Sequence, residues 1–104
     1  MEAVELRDRA SEAAKFLKSM SNASRLLILC HLADGEKSVG KLQSCLELSQ
    51  SALSQHLAVL RRDGIVSTRR SSQTIFYSLA NEPAQEIMST LYDYFCSGDS
   101  TKGN

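Results

Sequence analysis

Three cysteines and two histidines are the side chains of this 104-residue chain with nucleophilic or ligating chemistry: Cys30, Cys45, Cys96, His31 and His56. A thiolate is a nucleophile and a soft metal ligand, and two thiols brought together can be joined by sulfur. No signal peptide opens the chain and no C-x-x-C motif occurs. The cysteines therefore read as reactive, ligating or simply buried, and not as a disulfide framework. Cys30 stands in the apolar context LLILCHL and Cys96 closes YDYFC, while Cys45 lies between Ser44 and Leu46 and reads as a packed small hydrophobe. Neither Cys30 nor Cys96 has an evident activator. Cys96 meets the unfavourable end of a helix dipole, and His31, next to Cys30, points about 100° away around its helix. From the residues alone, packing and pairing of Cys30 and Cys96 both stay open. His56 is isolated on its helix and suits a hydrogen bond near a turn or a DNA contact better than a metal. No phosphate loop, nucleophile elbow or pair of catalytic carboxylates is present, so an enzyme is not expected.

A second set of residues suits recognition. The stretch Leu48 to Leu60 reads LSQSALSQHLAVL. Ser49 is a good N-cap for the helix that follows. Ala52, Leu53, Leu57 and Leu60 recur at helical spacing on one face. The opposite face carries Gln50, Ser51, Ser54 and Gln55, uncharged donors and acceptors suited to base edges and phosphates. Upstream, Ser38 to Leu46 is a shorter amphipathic helix with Val39, Leu42 and Leu46 inward. So tight a link between the two predicts a helix-turn-helix over residues 38–62, with the second helix reading DNA.

The elements that must position these residues follow from periodicity. Residues 5–20 form an amphipathic helix with Leu6, Ala10, Ala13, Ala14 and Leu17 on one face. Its small alanines would let another helix approach, so it is expected to serve dimerisation. Asn22 or Ala23 begins a helix to about Leu32, whose Leu26, Leu27, Leu29, Cys30 and Ala33 make it the central core helix. Arg25, near its start, suits a phosphate contact or a surface ion pair equally. Gly64 stops the recognition helix as a C′ residue. Ile65 to Arg70 and Thr74 to Leu79 are β-branched and aromatic runs with turn-forming Ser71, Ser72 and Gln73 between them, which predicts a wing over 65–79. Arg69 and Arg70 are placed to reach phosphates or a minor groove, and Tyr77 suits a strand core position. Pro83 opens the last helix, 83–96, with Ala84, Ile87, Met88, Leu91 and Phe95 as its stripe and Tyr92 and Tyr94 as packing residues. Residues 97–104 read as a flexible tail.

Length and composition support one domain over 1–104 with a small core that a second copy would help to bury. The fold expected is mainly α with a small β-hairpin, a homodimeric winged helix-turn-helix in the order α-α-α-α-β-β-α. No apolar run approaches the roughly 18 residues of a membrane span, and a cytoplasmic protein is expected. Net charge is zero, but Arg61, Arg62, Arg69 and Arg70 face only Asp63 between Ser49 and Ala80. That excess of positive charge sits where phosphates would be met.

With this order of elements the chain resembles the ArsR/SmtB family of bacterial winged-helix regulators. The resemblance is carried by Ser38-Val39-Gly40-Lys41-Leu42, by LSQSALSQHLAVLRRDGIV and by the wing through TIFYSL, and runs from about Ala14 to Cys96. It implies a homodimer binding an imperfect inverted repeat of double-stranded operator DNA, with an inducer that changes affinity. Two familiar metal sites of the family have no counterpart here. EKSVGKLQ has no cysteine, and EIMSTLYDYFC offers Asp93 but no histidine, so neither a metal nor another cofactor is expected. Cys30 and Cys96 instead resemble the dithiol, persulfide-sensing branch, the BigR, SqrR and HlyU type. That likeness implies a persulfide or polysulfide inducer and a Cys30–Cys96 bridge of two, three or four sulfurs that lowers operator affinity. Ser49, Gln50, Ser51, Ser54, Gln55, His56, Arg69 and Arg70 would then meet DNA. A metal-responsive regulator using Cys30, Cys96 and His31 or Asp93, an anti-repressing activator, and a protein-binding winged helix are the alternatives.

Overall fold

Asn22, Ser38, Ser49 and Asn81 each set a helix start in the computed structural model, which describes residues 1–96. In each case a short side-chain oxygen accepts the backbone N–H three residues on, satisfying a donor the first turn leaves orphaned. The helices are α1 (Ala3–Met20), α2 (Ala23–Leu32), α3 (Val39–Cys45), α4 (Gln50–Arg62) and α5 (Glu82–Phe95). The strands are β1 (Lys37–Ser38), β2 (Val66–Ser71) and β3 (Thr74–Leu79). They form an antiparallel sheet in the order β1-β3-β2. Pro83 occupies the first turn of α5, where its missing N–H costs nothing. The expected tail, 97–104, lies outside the described residues.

This is the winged helix-turn-helix that the sequence predicts, with one addition. Lys37 and Ser38 pair with Tyr77 and Phe76 to make a third strand. Two residues are too few to display a period of two, so nothing in the local pattern announces β1. Gly64, at φ +74°, ends α4 as expected: its N–H reaches Arg61 and that of Ile65 reaches back to Leu60, at 3.1 and 2.9 Å. A hairpin follows, turned at Ser72 with φ +57°.

The core gathers around α4. Leu53, Leu57 and Leu60 are buried against Ile28, Leu29 and Leu32 of α2, Leu42 and Leu46 of the first half of the motif, Ile65, Val66 and Leu79 of the wing, and Ala84 and Met88 of α5. Several packing expectations need correction. In α2 Ile28 is fully buried beside Leu29 and Leu32, whereas Leu27, expected in the core, is 48% exposed. Tyr92, Tyr94 and Phe95, expected to pack, are exposed, because α5 leaves the core after Met88 and Leu91. Cys45 is exposed too, since Val39, Leu42 and Leu46 already supply the inward stripe of the seven-residue α3. The stripe of α1 is also uncovered, with Leu6 and Leu17 more than half exposed while Ser19 and Met20 at its end are buried. No helix among the described residues is long and apolar enough to cross a membrane.

Candidate functional site

Two regions carry the residues singled out above. The first is the exposed side of α4. With Leu53, Leu57 and Leu60 buried, Gln50, Ser51, Ser54 and Gln55 are left in solvent on the far side of the same helix. Ser49 is occupied as the cap of α4: its Oγ accepts from the N–H of Ala52 at 3.1 Å and lies 3.4 Å from the Ser51 hydroxyl. His56 does not share this face. It is half-buried, and its Nδ1 lies 3.5 Å from a guanidinium nitrogen of Arg25. Arg25 in turn donates from Nε to the carbonyl of Ser19 at 2.6 Å. It is therefore neither a surface ion pair nor a free phosphate ligand, but a tie between the end of α1 and the middle of α4.

A second tie runs alongside it. The buried Ser19 hydroxyl donates to the Asp63 carboxylate, which also accepts two hydrogen bonds from Arg62 at 3.0 and 3.1 Å. Arg62 and Ser19 hold the Asp63 pKa down to about 2. The Arg62–Asp63 contact is visible in the sequence as a neighbour pair. The Ser19 contact bridges 44 positions and has no local signal.

On the wing, Arg69 and Arg70 separate. Arg69 donates twice to Glu36, at 2.7 and 2.9 Å, and its guanidinium lies 4.6 Å from the Phe76 ring centre. That pairing lowers the Glu36 pKa. Arg70 is exposed and makes no such pair.

The second region holds the thiols. Cys30 is half-buried on α2, Cys96 is exposed immediately after α5, and both are free. Burial raises the Cys30 pKa, and the charge of the Cys96 thiolate raises it further, so the two sulfurs lie within electrostatic reach of one another. Cys30 opens on a cleft of about 240 Å³ between α2 and α5, lined also by Ala33, Asp34, Gln85, Ser89 and Tyr92. Cys45, at the end of α3, belongs to a different part of the molecule. Among the described residues no three His, Cys, Asp or Glu side chains converge as a metal-binding group.

A two-helix motif with an uncharged polar recognition face, followed by an arginine-bearing hairpin, defines a DNA-binding winged helix-turn-helix protein. Residues 22–68 match the family described as bacterial regulatory protein, arsR family. Among its relatives, the transcriptional activator HlyU of Vibrio cholerae is 50% identical over 95 residues, spanning 91% of this chain and 88% of that protein. A biofilm growth-associated repressor of Agrobacterium fabrum is 47% identical over 89 residues, spanning 86% and 76%. The solved structure of reduced HlyU from Vibrio cholerae superposes with a TM-score of 0.85 at 51% identity, over 88% of this chain and 97% of that one. The chain belongs to the ArsR family of DNA-binding transcriptional regulators and is not an enzyme.

Proposed function

We propose that this regulator binds operator DNA as a homodimer in the cytoplasm while Cys30 and Cys96 are reduced, and releases it when sulfur bridges them. The observation that carries this reading is a pair of free thiols from distant segments, Cys30 on α2 beside a cleft open to small molecules and Cys96 just after α5, near enough for the charge of one to raise the pKa of the other. The solved relative described as reduced agrees with a redox-dependent form. Cys96, the exposed thiol, is the first to meet a persulfide. Its thiolate attacks the outer sulfur of R–S–SH, releasing R–SH and becoming Cys96–S–SH. The Cys30 thiolate then attacks the inner sulfur and displaces hydrosulfide, leaving a disulfide. If both cysteines are first persulfidated, one displaces hydrosulfide from the other and leaves a trisulfide. A longer bridge tolerates a separation that direct disulfide geometry, with Cα atoms within about 7 Å, would not.

Such a bridge ties α2 to the end of α5. Because α2 packs on α4, it biases the placement of the recognition helices. A coupling of about 1–3 kcal/mol, roughly 5–150-fold in affinity, suffices for regulation. The dimer rests on the uncovered apolar residues Leu6, Leu17, Leu27, Tyr92 and Phe95. In a twofold dimer two copies of α4 would enter successive major grooves about 34 Å apart on an imperfect inverted repeat. Gln50, Ser51, Ser54 and Gln55 would face bases and backbone, with Ser49 at the helix start and His56 supporting them from beneath. Arg70 brings the wing to the phosphates, while Arg69, which the sequence also offered as a DNA contact, is held by Glu36.

The test is the intact mass of the reduced protein after glutathione persulfide, and separately after peroxide or oxidised glutathione. Loss of the Cys30 and Cys96 thiols after persulfide alone is the expected result, read as a fall of two hydrogens for a disulfide or as retained sulfur for a longer bridge. Loss of two hydrogens under every oxidant would replace it with a general redox switch. Unmodified thiols throughout would overturn the dithiol mechanism.

A further inference from the structure

The two wing arginines occupy opposite faces of β2, and only one of those faces looks toward the recognition helix. In the ladder Val66, Thr68 and Arg70 stand across from Leu79, Tyr77 and Ile75. Directly opposed residues share a face, so these six side chains lie on one side of the hairpin. Val66 and Leu79 fix that side as the one turned to the core. Further out, Ile75 and Tyr77 form one wall of a groove of about 600 Å³ whose other wall is Ser54, Ala58 and Arg61 of α4. Arg69, Phe76, Ser67 and Ser78 belong to the reverse face, where Arg69 is held by Glu36 and by the Phe76 ring. Arg62 also borders the groove, but its guanidinium is engaged by Asp63.

Among the described residues, two guanidinium groups on this side are left without a carboxylate: Arg61, which lines the groove on its helix wall, and Arg70, which stands beyond the lining but directly across from Ile75 on the same face of the wing. We propose that Arg61 and Arg70 clamp a DNA phosphate strand across the groove between α4 and the wing, and that Arg69 is a positioning residue that fixes the wing through Glu36. This assignment rests on the DNA-binding reading above and adds to it a phosphate ligand, Arg61, that the recognition face did not include. The physical reason is charge. An arginine already paired to a carboxylate and stacked on a ring brings little net positive potential to a phosphate, whereas an unpaired one brings its full charge.

The experiment is the salt dependence of affinity for a mixed-sequence duplex about three helical turns long, measured for the full chain and for Arg61→Gln, Arg70→Gln, Arg70→Lys, Arg69→Gln and Glu36→Gln. Removing one phosphate ligand reduces the slope of log affinity against log salt by about 0.9, and by about twice that when both protomers of a dimer carry the change. R61Q and R70Q are expected to show that reduction, and R70K to keep the parent slope. R69Q and E36Q are expected to keep the slope, to weaken binding alike, and to be no worse combined than apart. Unchanged slopes in R61Q and R70Q, or a slope reduced in R69Q to the same extent, would overturn the assignment. A parent protein with no salt-dependent affinity would instead overturn the DNA-binding reading itself.

Discussion

At the scale of single residues, the ionisable groups sort by what they are tied to. Asp63 is ionised far below the ordinary carboxylate range, to about pH 2, because Arg62 and Ser19 hold its charged form. A depressed carboxylate contributes stability that is complete above its unfolded value, near 4, and is lost as pH falls through its folded value. Acid unfolding followed by circular dichroism should therefore lose this contribution between about pH 4 and pH 2, and Asp63→Asn should flatten the curve across that window. Cys30 behaves in the opposite sense. Its raised pKa, from burial first and from Cys96 second, keeps the thiol protonated. Its alkylation rate should still be rising above the ordinary thiol pKa, and Cys96→Ser should move the midpoint down only part of the way. Under the proposed mechanism Cys30→Ser and Cys96→Ser each keep operator affinity and lose the response to persulfide. A single mutant that still responds in a gel-shift titration would defeat the bridge.

Among the elements, the helix-turn-helix depends on its caps and on two glycines of opposite character. Ser49 caps α4, and Ser49→Ala should cost about 1 kcal/mol in urea unfolding. Gly64 takes φ +74° at the end of the same helix. Gly64→Ala should destabilise by about 1 kcal/mol because a Cβ is disfavoured there. Gly40, inside α3, is the reverse case: an added Cβ would come no closer than 4.0 Å to the Ser38 hydroxyl. Gly40→Ala should stabilise by about 0.5–1 kcal/mol through helix propensity and a less free unfolded chain. These three substitutions measured together separate cap, turn and propensity within one motif. The ties from α1 to α4, through Ser19–Asp63 and Arg25–His56, are of another kind. They hold the end of α1 against the recognition helix, so movement at a dimer interface built on α1 would be passed directly to α4.

For the molecule as a whole, the apolar surface is unevenly buried. The core takes the inner stripe of α4 and Ile28, Leu29 and Leu32 of α2, yet Leu6, Leu17, Leu27, Tyr92 and Phe95 stay at least 46% exposed. A chain this small gains by burying such surface against a second copy. Leu6→Glu combined with Leu17→Glu should give a monomer in sedimentation and abolish tight operator binding, while leaving α4 folded by circular dichroism. A dimer that survives both charges would place the interface elsewhere.

The local text of this chain was sufficient for its helices, its wing and the start and stop of α4. Capping side chains, a positive-φ glycine and the change from a helical to a two-residue period all act over a few neighbouring residues. The polar face of α4 was legible for the same reason, because Leu53, Leu57 and Leu60 fix which side is buried. The exposure of Cys45, Leu27 and Phe95 was not legible, since an apolar residue on a helix says nothing of whether a neighbour is there to cover it. Nor was the difference between Arg69 and Arg70, adjacent and identical in type. It depends on Glu36, thirty-three positions away, on the two-residue strand β1, and on the pleat that turns neighbouring side chains to opposite faces. The nearness of Cys96 to Cys30, within reach of its charge, is of the same order. It exists only because α5 returns across α2, and an approach between distant segments is set by packing that no short stretch of sequence contains.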